Sequence, residues 1–498
     1  MNVNPITRLD YPDLDVIRVE DTYYMVSTTM HFMPGCEILQ SFDLVHWEHV
    51  TYVYETLDHT DAQQLKSGQN IYGQGMWAAS LRYHEGRFYI CFVANDTRKT
   101  YLYTSEKIDG PWKKQLIEGF YHDGSLLFDE DGRNYIVYGN DEIWITELNE
   151  DLTAPKKDGL HRLLVSDHKN PELGYEGSHI QKINGYYYIF LVHSLRDRWM
   201  RTEACFYSDS LEGEFTGGDV LCDDRGYCGQ GVAQGGIVDT PDGKWYAMLF
   251  QDSGAVGRIP ILLPVTWKDH FPVFGQNGHV PEEIEVHSTR PGYIYQPLVG
   301  SDDFCNGLLP RWQFNHDPDP RYYHLDALQG TYTITTREVC TELTQAVNTL
   351  TQRMSYPSCA AEVTVDASAL KEGDVAGLCA LQGCYAAVGI TKHHGKYEVL
   401  MLDKKEDGIL DMTGGTVVES HQMDFRLEAD FCNMKDEARC YYRVNKGDWL
   451  PIGTVHKLYF KLDHFTGCRF GLFCYAAEET GGSACFRDFK YYDVDEIS

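Results

Sequence analysis

The sequence predicts an all-β protein of two domains, a five-bladed β-propeller followed by a β-sandwich. Three observations predict it. One hairpin pattern recurs five times along the first part of the chain, alternation of polar and apolar residues with period two fills the second part, and helical periodicity is almost absent from both. The 498 residues are too many for one hydrophobic core. We place the boundary near residues 295–301, which gives a propeller over 1–298 and a sandwich over 299–498.

The repeated hairpin is clearest between Pro171 and Ser194. Its turn is Asn184-Gly185, a pair that suits the positive φ angles of tight hairpin turns, and an aromatic and apolar strand follows. Each copy has an apolar strand, a turn containing Asp, Glu or Asn, and a second strand that carries a tyrosine. Aligned on that tyrosine, the copies repeat every 46 to 65 residues, a spacing typical of propeller blades. The five copies begin at Val16, Ser80, Ser125, His179 and Gly236.

One position of the repeat carries an unusual set of side chains. This position lies twelve residues before the shared tyrosine. In the first copy, whose turn is one residue shorter, it lies eleven residues before. The residues at this position are Asp13, Trp77, Asp123, Glu176 and Gln234. Equivalent positions on the innermost strands of a propeller surround its central axis. Chance is the competing explanation, because the chain has 74 acidic residues. Three acids at one repeat position, each beside Gly or Pro, favour a functional site at the axis.

The second part of the chain begins at Asp302-Asp303-Phe304, where the hairpin repeat has ended. Segments such as GTYTITT and AAEVTVDAS alternate polar and apolar residues, and turns separate them every 8 to 12 residues. This pattern predicts a β-sandwich of the jelly-roll, concanavalin-like type. No constellation of catalytic groups stands out in this part, so we expect the catalytic domain to be the propeller.

Charge and cysteine usage restrict the partners and the compartment. A net charge of −31 repels nucleic acid and anionic lipid, so we expect neither nucleic acid nor a membrane as a partner, although a solvated acidic surface explains the charge more simply. The N-terminus lacks the basic and apolar regions of a secretion signal, and the 15 cysteines are irregularly spaced. We therefore predict a cytoplasmic protein with reduced, buried thiols, and a homo-oligomer remains open.

Two carboxylates across a central pit suit the hydrolysis of a glycosidic bond. One protonates the leaving oxygen and the other activates water, and the acid needs a raised pKa to hold its proton near neutral pH. A third carboxylate raises that pKa by like-charge repulsion. Spacing alone does not say which of the three acids donates the proton. Sugar rings bind to aromatic faces and hydroxyl groups bind to charged or amide side chains, for which the candidates are Trp77, Phe32, Arg258 and Gln234.

Other chemistries lack sequence support. G-x-S-x-G, H-E-x-x-H and G-x-x-x-x-G-K-[ST] do not occur, and His31 and His179 lie near strand ends, where structural histidines are more frequent than metal ligands. The acidic turn Asp129-Glu130-Asp131-Gly132 has calcium-binding residue types, but hairpin-turn chemistry explains it adequately. We therefore predict no catalytic metal and no required cofactor, with a structural or central calcium ion as the alternative.

At these residues the sequence resembles glycoside hydrolase family 43. The family's motifs are matched by Pro12-Asp13-Leu14-Asp15, by Asp123-Gly124-Ser125 and by Glu176-Gly177-Ser178-His179. Trp77-Ala78-Ala79-Ser80 matches its W-A-P-S motif, and Arg258 its arginine before L-L-P-V-T-W. The resemblance implies a five-bladed propeller that inverts the anomeric configuration. It also implies that Asp13 is the general base, Asp123 the pKa modulator and Glu176 the general acid.

Departures from the family pattern concern the pocket. His31-Phe32-Met33-Pro34-Gly35 replaces E-W-F-P-G, which exchanges an indole of the substrate pocket for Phe32. Gln234 replaces a histidine often found beside a central metal or water. The second part is similar to the sandwich of the xylosidase and arabinofuranosidase branch, which covers one side of the active-site mouth. That similarity implies exo action on the terminal sugar of a neutral oligosaccharide.

The sequence thus predicts an inverting exo-glycosidase that releases terminal α-L-arabinofuranosyl residues from arabinoxylan-type or other hemicellulose-derived oligosaccharides. A β-D-xylosidase, or an enzyme with both activities, is the first alternative. A non-catalytic carbohydrate-binding propeller, with the acids as hydrogen-bond acceptors, is the alternative from a different class.

Overall fold

The protein was analysed as a computed structural model that describes residues 2–461 and 465–493. In this part of the chain the regular structure is β-strand, with four single-turn 3₁₀ helices at Lys66–Gly68, Gly254–Val256, Leu343–Gln345 and Cys432–Met434. Five four-stranded antiparallel sheets form the first domain and two larger sheets form the second. The predicted all-β architecture of a propeller and a concanavalin-like sandwich is confirmed.

The first three blades follow one another without crossovers. Blade 1 consists of Asp15–Val19, Thr22–Val26, Gly35–Ser41 and Glu48–Tyr54. Blade 2 consists of Ser80–His84, Arg87–Ala94, Lys99–Ser105 and Lys113–Ile117. Blade 3 consists of Ser125–Phe128, Asn134–Asn140, Glu142–Leu148 and His161–Ser166.

The last two blades complete the ring. Blade 4 consists of Glu176–Ile183, Tyr186–Ser194, Arg201–Ser208 and Thr216–Leu221. Blade 5 consists of Val232–Asp239, Trp245–Asp252, Arg258–Lys268 and Phe271–Phe274. The ring is tied by the short strand Asn2–Val3, which pairs with Glu283–Ile284, and by the amide of Asn4, which donates to the carbonyl of Leu262 at 2.7 Å.

The innermost strand and the second strand of every blade are the two strands of one predicted hairpin. At the clearest copy, Asn184 and Gly185 adopt φ angles of 50° and 84°, the left-handed values that an Asn-Gly turn supplies with little strain. The shared tyrosine lies on the second strand in every blade; in blade 4, Tyr188 pairs with Gln181. Because the same strand of every hairpin is the innermost strand of its blade, residues at one repeat position come to the same end of the central channel.

The second domain packs two sheets face to face. One sheet has the order Leu410–Val418, Lys396–Lys404, Ala386–His393, Val375–Leu381, Arg469–Tyr475, Leu350–Arg353, Gln313–Asn315 and Phe32–Met33. The other has the order Tyr323–Asp326, Thr331–Thr335, Ser483–Asp493, Ser358–Asp366, Gln422–Asp430, Glu437–Val444 and Leu450–Lys457. Inward-facing side chains such as Val363, Leu378 and Phe425 are fully buried and form the core between the sheets.

The two domains share structure at their boundary. Phe32–Met33 belongs to the propeller segment but pairs with Gln313–Asn315 as the edge strand of the sandwich sheet. The buried carboxylate of Asp10 accepts hydrogen bonds from the backbone N–H of Arg258 at 2.7 Å and from that of Gly467 at 2.8 Å. Asp10 therefore fixes a strand of blade 5 and a loop of the sandwich at the same point.

Within the described ranges, no helix is long and apolar enough to cross a membrane. Ten of the fifteen cysteines are buried, as expected of structural thiols, whereas Cys222, Cys228, Cys305 and Cys432 are exposed. The expectation of buried thiols therefore holds for most cysteines but not for these four.

Candidate active site

The residues of the shared repeat position meet at one end of the central channel. Asp13, Trp77 and Asp123 lie two or three residues before the innermost strands of their blades. Glu176 begins its strand, and Gln234 lies at a bulge within its strand. Three of them have left-handed backbones, with φ angles of 50° for Asp13, 48° for Asp123 and 65° for Gln234. Such strain is stored where surrounding structure holds a side chain in a required direction. Here all five side chains line one cavity of about 180 Å³.

Asp13 is held by donors from two blades. Its Oδ1 pairs with the Arg258 guanidinium at 2.5 Å and accepts from the Gln234 amide at 3.2 Å, and its Oδ2 accepts from the Thr28 hydroxyl at 2.6 Å. Arg258 is also buried, and its Nε donates to Asp252 at 3.1 Å. The carboxylate therefore has a fixed orientation within a buried ion-pair network, as a group that must direct a water molecule requires.

Asp123 and Glu176 face the same histidine. Nε2 of His122 lies 3.6 Å from Oδ2 of Asp123 and 3.7 Å from Oε2 of Glu176. Asp123 also accepts from the backbone N–H of Gly177 at 3.0 Å, and Glu176 accepts from the side-chain amide of Asn140 at 2.7 Å. Sequence reasoning missed His122, although it directly precedes Asp123, because the alignment singled out one position in each blade.

The protonation of this group differs from the expectation. Burial raises the pKa of Asp123 to about 6, against the charge of His122 and with the help of the charges on Glu176 and Asp13. Burial also acts to raise the pKa of Glu176, but the interaction with His122 and the charges of Arg201 and Arg258 outweigh it and lower that pKa. The carboxylates in turn raise the pKa of His122 to about 9. The raised carboxyl pKa thus belongs to Asp123 and not to Glu176.

The aromatic wall of the cavity comes from both domains. The Trp77 ring meets the ring of Phe465 edge to face, with centroids 5.2 Å apart, and the Arg258 guanidinium lies 3.9 Å from the centroid of Phe465. Phe465 lies two residues before Gly467, whose backbone binds Asp10, and this contact explains how a sandwich residue reaches the propeller axis. No sequence signal marked Phe465, because its contact with Trp77 joins residues that are far apart in the chain.

The prediction that Phe32 contacts the substrate is corrected by its position. Its side chain is only 2% exposed, its strand pairs with the sandwich, and the Arg469 guanidinium covers its ring at 3.5 Å. Phe32 does not line the cavity. The other predicted substrate-binding residues, Trp77, Arg258 and Gln234, all do.

Comparison with known families decides the assignment. Residues 3–272 match the family model described as glycosyl hydrolases family 43. The chain belongs to glycosyl hydrolase family 43. Residues 301–492 of this family 43 hydrolase match a second model, described as the beta xylosidase C-terminal concanavalin A-like domain. The family resemblance and the assignment as a glycoside hydrolase are therefore confirmed.

Individual relatives of this family 43 hydrolase carry two kinds of names. It is 27% identical to a protein named beta-xylosidase from Formosa agariphila, over 99% of this chain and 89% of the relative. It is 24% identical to a non-reducing end alpha-L-arabinofuranosidase from Bacteroides ovatus, over 82% of this chain and 79% of the relative. A solved structure described as a bifunctional GH43-CE protein of Bacteroides eggerthii superposes with a TM-score of 0.91 and 42% identity. The superposition covers the whole chain but only 64% of that longer protein.

The candidate metal ligands of this family 43 hydrolase coincide with its acids. Among the residues that the structure describes, His122, Asp123 and Glu176 form the one group of ligand atoms close enough to hold an ion, all within 4.8 Å of one another. A ligating imidazole must be neutral, whereas the raised pKa of His122 favours its protonated form. At the acidic turn, Lys182 and Tyr187 bind the carboxylate of Asp129 at 2.7 and 2.5 Å, in the place of a calcium ion. The need for no cofactor stays a prediction.

The pKa of Asp123 in this family 43 hydrolase has a consequence for stability. Because the folded-state pKa of about 6 lies above the ordinary value of 3.8, this carboxyl favours folding most at acidic pH, and that contribution is lost as the pH rises through 6. The quantity to compare is the free energy of unfolding of Asp123→Asn minus that of wild type. We expect this difference to be about 1–3 kcal/mol more favourable to the variant at about pH 8 than at about pH 5. Denaturant unfolding at both pH values, with a chelator present, measures this difference.

Asp129→Asn is the matched control, because the contacts with Lys182 and Tyr187 lower the pKa of Asp129 despite its burial. A lowered pKa has the opposite sign: Asp129 stabilises the fold at neutral pH and stops doing so in acid. The control should therefore lose stability near pH 8. If Asp123→Asn also lost stability near pH 8, as the Asp129 variant should, burial would not raise the pKa of Asp123.

Proposed function

We propose that this family 43 hydrolase is an inverting exo-glycosidase that releases a terminal pentose from neutral hemicellulose oligosaccharides, with α-L-arabinofuranose as the first candidate. The observation that carries the proposal is the cavity that Asp13, Asp123 and Glu176 line together. Its volume of about 180 Å³ lies below the roughly 300 Å³ at which pockets for larger ligands begin, which suits one sugar ring and not a stretch of polymer.

The proposed mechanism uses each acid differently. Asp13, fixed by Arg258, Gln234 and Thr28, takes a proton from the attacking water. Glu176 gives a proton to the leaving oxygen, and the attack from the opposite face inverts the anomeric centre. Asp123 and His122 supply this proton to Glu176. His122 can pass it on, because its Nε2 lies at nearly equal distances from both carboxyl groups.

Exo action is supported by the wall that Phe465 adds to the cavity. The ring packs against Trp77 and above Arg258, so one side of the mouth is closed by the sandwich. A sugar bound there has its ring faces against aromatic carbon and its hydroxyl groups toward Arg258 and Gln234. A polysaccharide chain that continued beyond the bound sugar would have no room on the side of Phe465. The enzyme therefore acts at polysaccharide chain ends or on single-sugar branches.

The preference for arabinofuranose rests on the fit of one ring, because arabinofuranosyl units occur as single-sugar branches on hemicellulose. The exchange of an indole for Phe32 no longer bears on the choice, since Phe32 lies outside the cavity. β-D-Xylose is the second candidate, and the relative named beta-xylosidase that aligns with 99% of this chain favours it. Both sugars are pentoses of similar size, so an enzyme with both activities fits the same cavity.

Rates with chromogenic substrates test the choice. We expect kcat/KM for nitrophenyl α-L-arabinofuranoside to exceed that for nitrophenyl β-D-xyloside about tenfold or more, and the matching hexosides to be poorer still, because their additional hydroxymethyl group does not fit. Proton NMR of the first product anomer tests inversion. Turnover of the xyloside alone would transfer the assignment to the second candidate. Tight binding without turnover of any pentoside would favour a carbohydrate-binding propeller.

A further inference from the structure

A second and larger cavity lies at the other end of the central channel. Its volume is about 450 Å³, and the ends of the innermost strands of all five blades line it, opposite the strand starts that carry the acids. Its apolar wall includes Leu127, Ile183 and Val238. Its size exceeds that of the active-site cavity, and it does not share a residue with that cavity.

Arg82 separates the two cavities. Its guanidinium crosses the channel and donates to Asp15 of blade 1 at 2.7 Å, to the Ser125 hydroxyl of blade 3 at 2.7 Å and to the carbonyl of Ile180 of blade 4 at 3.2 Å. These bonds tie blade 2, which carries Arg82, to three other blades across the axis. A ligand in the larger cavity therefore reaches it from the far face of the propeller and does not pass through the active site.

The rim of this cavity presents aromatic faces to solvent. Tyr83 is 44% exposed, and the rings of His84 and Phe128 are stacked with their centroids 4.6 Å apart and 7° between their planes. Trp245 adds an indole from blade 5. Exposed aromatic rings around a concave site are the usual platform for the apolar faces of sugars and other ring-shaped ligands.

The charged groups of the cavity are paired with one another. Arg18 of blade 1 binds Asp239 of blade 5, with Nη2 and Oδ2 2.5 Å apart, and Lys182 binds Asp129 and Glu130 at 2.7 and 3.0 Å. Each of these cations thus has its carboxylate, and Lys182 has two, which leaves no unpaired positive charge among these groups to attract an anion. This combination suits a neutral ligand with many hydroxyl groups.

We propose that this cavity, the far-face cavity, is a second saccharide-binding site that holds a neutral pentose polymer while the active site trims its chain ends or branches. The class of polymer rests on the proposed function. The far-face cavity itself rests on its own rim, walls and ion pairs. Because Arg82 closes the channel between the two sites, the binding of polymer and the hydrolysis of a small substrate should respond to different substitutions.

Retention on insoluble arabinoxylan tests this proposal. We compare Tyr83→Ala with Tyr83→Phe, which keeps the ring, and with Tyr293→Ala, which removes a comparably exposed ring (38%) outside the cavity. All are made in an Asp13→Asn background so that the polymer stays intact. We expect Tyr83→Ala to weaken retention roughly fivefold to tenfold, as the loss of one aromatic contact implies, and the other two variants to match the parent.

In the wild-type background, Tyr83→Ala should hydrolyse nitrophenyl pentosides at the wild-type rate and lose activity only on the polymer. Equal retention of Tyr83→Ala and the parent, or no retention of the parent, would overturn the second site. Absent hydrolysis of every pentoside, with retention still dependent on Tyr83, would instead refute the proposed function and leave the second site standing.

Discussion

Asp13→Asn is expected to lower kcat/KM by roughly 10³-fold or more on every substrate, whatever the leaving group, because water activation is lost. The hydrogen-bond partners of Asp13 allow an asparagine to occupy the same position. Arg258 and Gln234 both donate to Oδ1, so an asparagine must place its carbonyl oxygen there and turn its NH₂ group toward the Thr28 hydroxyl. The variant therefore keeps the shape of the carboxylate and loses the free lone pairs that would accept a proton from water.

Steady-state rates on a nitrophenyl and a dinitrophenyl pentoside measure this effect, and added azide should restore part of the activity by replacing the activated water. The matched control is Asp252→Asn, which also removes a carboxylate from Arg258 but lies outside the cavity. It should weaken binding through Arg258 and show no azide rescue. An Asp13→Asn variant that lost activity only with poor leaving groups would show that Asp13 is the acid and not the base.

Glu176→Gln is expected to produce a loss that depends on the leaving group. With a sugar as the leaving group, which must be protonated, we expect kcat to fall by about 10³-fold, and with dinitrophenolate, which needs no proton, by less than about tenfold. The amide of Asn140 donates to Oε2 of Glu176, so the glutamine can present its carbonyl oxygen to Asn140 and remain in place. Binding of the pentose should therefore change little.

The pH dependence supplies a second readout for Glu176. Burial raises the pKa of Asp123 to about 6, so this carboxyl, which lies beside Glu176 at His122, holds its proton below that pH and loses it above. We expect wild-type kcat/KM on a substrate with a poor leaving group to fall as the pH rises past 6, which is the basic limb of the pH profile. This basic limb should disappear when Glu176→Gln acts on the dinitrophenyl substrate. Asp123→Asn is the control, since it should move the limb without creating a dependence on the leaving group. An unchanged basic limb in Glu176→Gln would remove Glu176 from the role of acid.

The sequence was most informative where the structure is locally determined. The turn chemistry and the period of each hairpin depend on neighbouring residues, and five copies of one hairpin must place one repeat position around one axis. Asp13, Asp123 and Glu176 could therefore be brought together without knowledge of any long-range contact. The same logic placed Trp77 and Gln234 in the cavity.

The errors concern contacts between distant parts of the chain. Phe32 resembles a pocket residue in its motif, but its strand pairs with Gln313–Asn315 and turns its ring under Arg469. Phe465 lines the cavity because Asp10 binds the backbone of Gly467, a contact that no local pattern encodes. The lowered pKa of Glu176 likewise depends on His122 first, and then on Arg201 and Arg258, which approach from blades 4 and 5.

The pairing of Phe32–Met33 with Gln313–Asn315, together with the Asp10 contact at Gly467, also sets when the protein can become active. During synthesis on a ribosome, all three acids emerge with the propeller, well before the sandwich is complete. Phe465 emerges only after most strands of the sandwich, and contacts between such distant segments form late because long loops must close first. A chain interrupted within the sandwich would carry every acid and still lack one wall of its cavity. Catalytic competence thus requires the part of the sandwich that carries Phe465 and not the propeller alone.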